Sequence, residues 1–249
     1  MIKPDISGLK KDLKDRLRQA GAYDVGIADP SVGYENAQEG RHPLELWDRC
    51  RSVVVFSVAC PPRANNTYLG PLAPWEGNRN IGPAPQYILS GDYAMTRLSI
   101  LFLSSVAMKG MALLSARGFE VSFLTPQLKL SAYEAGLGVY GRSGVIIHPI
   151  LGNRMNLGAI MTDAALEPNL RLEEFEPCEG CDLCIRACPA GALDPVKSYP
   201  DSYSRERCTA KRAEIVGEGL YCHSCFAVCP AGKLKEEELL SSSEAKGIL

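Results

Sequence analysis

The chain of 249 residues is 46% hydrophobic and 22% charged, the balance of an ordinary globular protein with room for one large domain and a small one. With 29 acidic against 27 basic side chains, its net charge is −2 and its pI near 6.0. That balance argues against a broad basic surface and predicts no nucleic-acid partner.

The start, Met1-Ile2-Lys3-Pro4-Asp5, puts no apolar run behind its charges, which predicts a cytoplasmic chain without a secretory signal. A helix is expected over 7–20, where Leu9, Leu13 and Leu17 form one stripe, ended by Gly21. Asp24–Ala28 and Ser52–Ala59 read as strands. The second, SVVVFSVA, lacks polar alternation, so both of its faces should be covered. Residues 61–86, rich in Pro, Gly and Asn, read as one long loop of a length that usually carries function. A long helix should run from Asp92 to Arg117 and stop at Gly118. Between Leu98 and Ala116 its only charge is Lys109, but Ser99, Ser104, Ser105, Gly110 and Ser115 interrupt the run. This predicts a buried helix rather than a membrane span. Apolar on more than one face, it is expected to be buried nearly all round, centrally or in a homodimer interface. Glu120–Leu124, Gly144–His148 and Asn156–Thr162 read as further strands, and Leu128–Glu134 as a helix. The tail after Cys229 reads as a short charged helix, with Glu236, Glu237 and Glu238 on a solvated face.

Near residue 170 the composition shifts to short loops dense in Cys, Pro and Gly, which divides the chain into 1–170 and 171–249. Eight of the ten cysteines lie between Cys178 and Cys229. Cys178-x2-Cys181-x2-Cys184-x3-Cys188-Pro189 is the run by which bacterial ferredoxins hold cubane clusters. A second half-motif follows, Cys208 and then Cys222-x2-Cys225-x3-Cys229-Pro230, and Pro-Ala-Gly closes both runs. Zinc also accepts four thiolates, but three Cys at successive x2 spacings closed by Cys-Pro point to two [4Fe–4S] clusters. The ferredoxin rule predicts crossed ligation. One cluster takes Cys178, Cys181, Cys184 and Cys229, and the other takes Cys188, Cys208, Cys222 and Cys225. His223 is expected beside a cluster as a hydrogen-bond donor, and Cys50 and Cys60 in the core.

Gly136-Leu137-Gly138-Val139-Tyr140-Gly141 matches G-x-G-x-x-G. A dinucleotide site needs that turn after a strand and before a helix, and here the order is reversed. The glycines instead imply tight turns or close backbone approach.

The stretch Glu134-Ala-Gly-Leu-Gly-Val-Tyr-Gly-Arg-Ser-Gly144, with His148-Pro149, Gly152-Asn153-Arg154 and Leu157 to Asp163, resembles the epoxyqueuosine reductase and reductive dehalogenase superfamily. Gly26-Ile27-Ala28, Arg51-Ser52-Val53-Val54 and Gly91-Asp92-Tyr93 match it too. The resemblance runs from about residue 9 to 235, and Gly-Arg-Ser-Gly is closer to the dehalogenase form. It implies an α+β chain, with a nitroreductase-like domain that binds cobalamin, then a ferredoxin-like domain that feeds it electrons. Gly136, Gly138, Gly141 and Arg142 would lie at that cofactor. Four departures stand out. The family's proposed proton-donating Asp would fall near Ser122, yet no carboxylate occurs from Val121 to Tyr133. Asp92-Tyr93-Ala94 replaces Asp-Tyr-His. The family's C-terminal repeat extension does not follow Cys229, and a twin-arginine signal of respiratory dehalogenases is absent.

The resulting expectation is a cytoplasmic reductase that passes electrons through two clusters to a corrinoid, or alternatively a flavin, and on to a small molecule other than epoxyqueuosine. Tyr93, Tyr140 and Arg142 are candidate proton donors or anion clamps. The alternative is an electron carrier or reductive activator that serves a redox partner protein, docked by Arg205, Arg207, Lys211 and Arg212 around Cys208. A third reading leaves the clusters as scaffold only.

Overall fold

In the computed structural model the described residues are 6–59, 91–122, 124–173, 175–197, 199–217 and 224–232, and the side chains of 91–100 are outside the description. The expected loop at 61–86, the charged tail helix, Cys60, Cys222 and His223 lie outside these residues.

Helix α1 (Leu9–Gln19) forms where the sequence stripe demands it, and Leu9, Leu13 and Leu17 are wholly buried. Strands β1 (Asp24–Ala28) and β2 (Ser52–Ala59) follow, separated by the short helix α2 (Pro43–Leu46). Next come α3 (Gly91–Ala116), β3 (Val121–Ser122), α4 (Leu128–Glu134), β4 (Val139–Tyr140), β5 (Ile146–Ile147) and β6 (Met155–Thr162). The sheet order is β1-β2-β6-β3, antiparallel throughout, with Ser52 opposite Thr162 and Ala59 opposite Met155. A second, two-stranded sheet pairs β4 with β5.

Both faces of the main sheet are covered, which explains the missing alternation in SVVVFSVA. Val54, Phe56 and Val58 of β2 join Leu13 and Leu17 of α1 and Met111 and Leu114 of α3 in one core. Val53 and Val55 point the other way, into a second core with Ala132 and Ala135 of α4 and its end, Leu137 and the buried Cys50. Gly26 lets α4 approach: a Cβ there would overlap the carbonyl oxygen of Ala135.

The long helix departs from expectation. Val106, Gly110, Met111 and Leu114 are buried against β6 and α1, but Leu101, Phe102 and Met108 are exposed, Leu101 by 69%. The helix lies on an outer layer, so its apolar residues divide between a packed face and an open one. Among the described residues, no helix is long and apolar enough to cross a membrane.

Asp24 ties the start of β1 to the loop after β5. Burial raises its pKa, but hydrogen bonds from His148 and from the Val25 N–H (2.7 Å) outweigh that and, with Arg18 nearby, leave it below the usual carboxylate value. A depressed folded pKa contributes stability that is present above about pH 4 and is lost as pH falls through the folded value. Asp24→Asn should therefore cost about 1 kcal/mol near neutrality, discounted for partial exposure. The gap to wild type should close in strong acid when urea midpoints are compared at the two pH values. A gap that does not change with pH would assign Asp24 a packing role instead.

Candidate metal centres and cofactor cleft

Beyond β6 the chain crosses back over the core. Asn169 exchanges backbone and side-chain hydrogen bonds with Ile27, and the Leu166 N–H reaches Ser52 Oγ (2.9 Å). The cysteine-rich part follows, with short helices α5 (Leu183–Arg186) and α7 (Ser224–Ala227) packed together and α6 (Arg205–Gly217) between them in sequence. Asn153 donates to the Phe226 carbonyl (2.9 Å) and the Arg154 guanidinium lies 5.2 Å from the Phe226 ring, so two buried residues hold α7 to the sheet-bearing part.

The seven described cysteines of this part are half-buried and form no disulfide. Burial raises the Cys184 thiol pKa to about 11, helped by the neighbouring Cys178, Cys225, Cys229 and Cys181. Cys225 and Cys229 of the second run are thus both neighbours of the first run's Cys184. Conversely, Cys188, which closes the first run, lines a cavity of about 40 Å³ together with Cys208 and Cys225. Among the described residues, no three Cys, His or carboxylate groups converge as ligands of one ion do.

The glycine loop leaves α4 and runs into the β4–β5 hairpin, the order that disfavours a dinucleotide site. A Cβ on Gly136 (φ 72°) would overlap the Leu170 carbonyl, and one on Gly138 would come 2.5 Å from the Ile147 carbonyl. These two glycines admit the chain's own backbone. At Gly141 a Cβ would stand 3.3 Å from Cys178 Sγ, so this loop touches the first cysteine.

Against the same loop lie two adjoining hollows of about 510 and 470 Å³, which share Val139, Tyr140, Phe175, Glu176 and Tyr199. Tyr140 stacks on Tyr199 at 4.2 Å and 15°, and Tyr133 lies 5.5 Å from it. Burial, then Tyr199 and Glu134, push the Tyr140 hydroxyl well above its ordinary pKa, so it keeps its proton. Arg142 and Cys178 line the second hollow together. The first hollow holds Glu134, 7% exposed and bound bidentately by Arg171 (2.7 and 2.9 Å). Of the three residues expected to act on a substrate, Tyr140 and Arg142 are thus brought to one cleft, while the Tyr93 side chain lies outside the description. Tyr199, Arg171, Asn153 and Arg154 were not singled out from sequence as site residues. Gly152-Asn153-Arg154 was the one available signal.

No family model matches the chain. Epoxyqueuosine reductase from Bacillus subtilis is 29% identical over 250 residues, covering 91% of this chain and 58% of that protein. Tetrachloroethene reductive dehalogenase from Desulfitobacterium hafniense is 32% identical over 123 residues, covering 42% of this chain and 22% of that protein. The chain is a relative of both groups. A crystal structure of epoxyqueuosine reductase with a tRNA-Tyr stem loop matches at TM-score 0.63 and 19% identity, covering 94% of this chain and 69% of that one. The mixed α+β fold is therefore that of the epoxyqueuosine reductases. This chain spans just over half the length of its Bacillus subtilis relative.

The tRNA complex also corrects an expectation. Net charge does not exclude a nucleic-acid partner here, because a neighbour of this same fold holds RNA. The physical reason is that phosphates are met by local cations, and a whole-chain sum of −2 says nothing about where 27 basic residues stand.

Proposed function

We propose that this protein is an iron–sulfur oxidoreductase with two [4Fe–4S] clusters, built as a nitroreductase-like part over 1–170 and a ferredoxin-like part over 171–249. Cys178, Cys181, Cys184 and Cys229 hold one cluster, and Cys188, Cys208, Cys222 and Cys225 the other. The observation that carries this reading is the contact of Gly141 with Cys178: it sets the first cysteine group against the loop that walls the cleft. The adjacency of Cys184 to Cys229, and of Cys188 to Cys208 and Cys225, fits the donor set that two cubanes require.

The cleft is the place for a corrinoid or a flavin, and its hollows are of the size that ligand sites have, about 300–1,000 Å³. When bound, such a group supplies the reducing chemistry. The chain's own residues do the rest. Tyr140 holds a proton at its hydroxyl, Tyr199 stacks on its ring, and Arg142 offers a cation in the hollow that Cys178 also lines. Cysteines that form no disulfide among the described residues suit a reducing cytoplasm. The substrate is read as other than epoxyqueuosine, because the segment from Val121 to Tyr133 has no carboxylate and the next one, Glu134, is occupied by Arg171. Complementation of a bacterium lacking epoxyqueuosine reductase, read by nucleoside analysis of its tRNA, should yield no queuosine. Recovery of queuosine would reverse that part of the reading.

The test of the whole is the visible spectrum of protein purified and reconstituted without oxygen. A corrinoid or flavin band beyond the iron–sulfur shoulder is expected. Clusters that reduce reversibly with neither cofactor bound would make the protein an electron carrier instead.

A further inference from the structure

The two cysteine groups stand in unlike electrostatic surroundings. Lys129, on the first turn of α4, donates to the Gly144 carbonyl (2.8 Å), and the adjoining Ser143 lines the cavity of Cys188, Cys208 and Cys225. Burial is the leading cause that lowers its pKa. No carboxylate among the described residues contributes to that shift. Lys211 of α6 lines the cavity of Cys188, Cys208 and Cys225 as well, but it is held by Glu214 at 2.5 Å. Around Cys178 the charges balance instead. Arg142 and Lys197 face Glu176 and Glu179 in the same hollow, and Asp182 is taken by Arg186.

We infer that the two clusters are electrically unequal: Lys129 is a positioning residue that makes the cluster of Cys188, Cys208, Cys222 and Cys225 the one reduced first. The inference rests on the two-cluster reading above. One electron added to a cubane adds one negative charge, and a fixed cation nearby stabilises the reduced form and raises its potential. The incoming electron therefore rests first at the cluster of Cys188, Cys208, Cys222 and Cys225, whose cavity Ser143 lines, and the cluster beside Gly141 is the lower-potential one.

The experiment is a reductive titration of reconstituted protein followed by electron paramagnetic resonance, with iron and sulfide counted on the same sample. The Cys188→Ala protein identifies which signal belongs to the second cluster. In wild type that signal should appear first. Lys129→Gln should lower its reduction equilibrium about tenfold, about 59 mV for one electron, and leave the other cluster in place. Lys129→Arg should restore it. Glu214→Gln, which releases the charge of Lys211, should shift the same signal in the opposite direction and needs no change at Lys129. Unchanged potentials in both Gln variants, or first reduction at the other cluster, would overturn the inference. A sample lacking two clusters by iron count would instead overturn the reading beneath it.

Discussion

Cys229→Ala is expected to abolish the cluster held by Cys178, Cys181 and Cys184 while sparing the other, and Cys188→Ala to do the reverse. Wild-type protein reconstituted without oxygen should carry about eight irons and eight sulfides per chain, and each variant about half. The reason is geometric. In the ferredoxin arrangement the closing cysteine of each run serves the other cluster. Cys229 thus neighbours Cys184, and Cys188 neighbours Cys208 and Cys225. A cubane that loses one of its four thiolates loses the iron it held, so the effect is near complete. Loss by each variant of the cluster belonging to its own run would show that ligation is not crossed.

The second large effect is on stability. Arg171→Ala should destabilise the fold by about 3 kcal/mol, the lower end of what breaking a buried ion pair costs, because the Arg171 side chain itself is 43% exposed. What remains is the Glu134 carboxylate, buried at the head of the glycine loop with Gly33 packed against it. The charge, not the lost contact, is the source of the penalty. Combining Arg171→Ala with Glu134→Gln should therefore recover much of the loss, since an amide costs less to bury than an unpaired carboxylate. Urea midpoints of the two proteins provide the measurement. A single variant within about 0.5 kcal/mol of wild type, the range of ordinary surface changes, would mean that Glu134 finds other partners.

The exposed part of α3 bears on assembly. Leu101, Phe102 and Met108 lie open on the helix that the sequence marked for burial. A homodimer through this face remains our proposal for what covers it, and sedimentation at micromolar concentration checks it.

The sequence by itself determined the elements whose period or composition is strong. The Leu9, Leu13, Leu17 stripe gave α1, the unbroken apolar run gave β2, and α4 ended where its glycines begin, because each rests on contacts that recur every few residues. The cysteine spacing likewise named the cluster chemistry to be tested, since ligand spacing is a local property of the chain. Other features depended on residues far apart in sequence. Strand β3 falls inside the expected Glu120–Leu124, but its partner β6 and its length of two residues were set by the packing of the sheet. The one-sided burial of α3 follows from its layer, not from its composition. Tyr199 meets Tyr140, Arg171 meets Glu134 and Lys129 meets the second cysteine group across 59, 37 and up to 96 positions. Such pairings carry no sequence period, and only the packing of the cysteine-rich part against the glycine loop decided them.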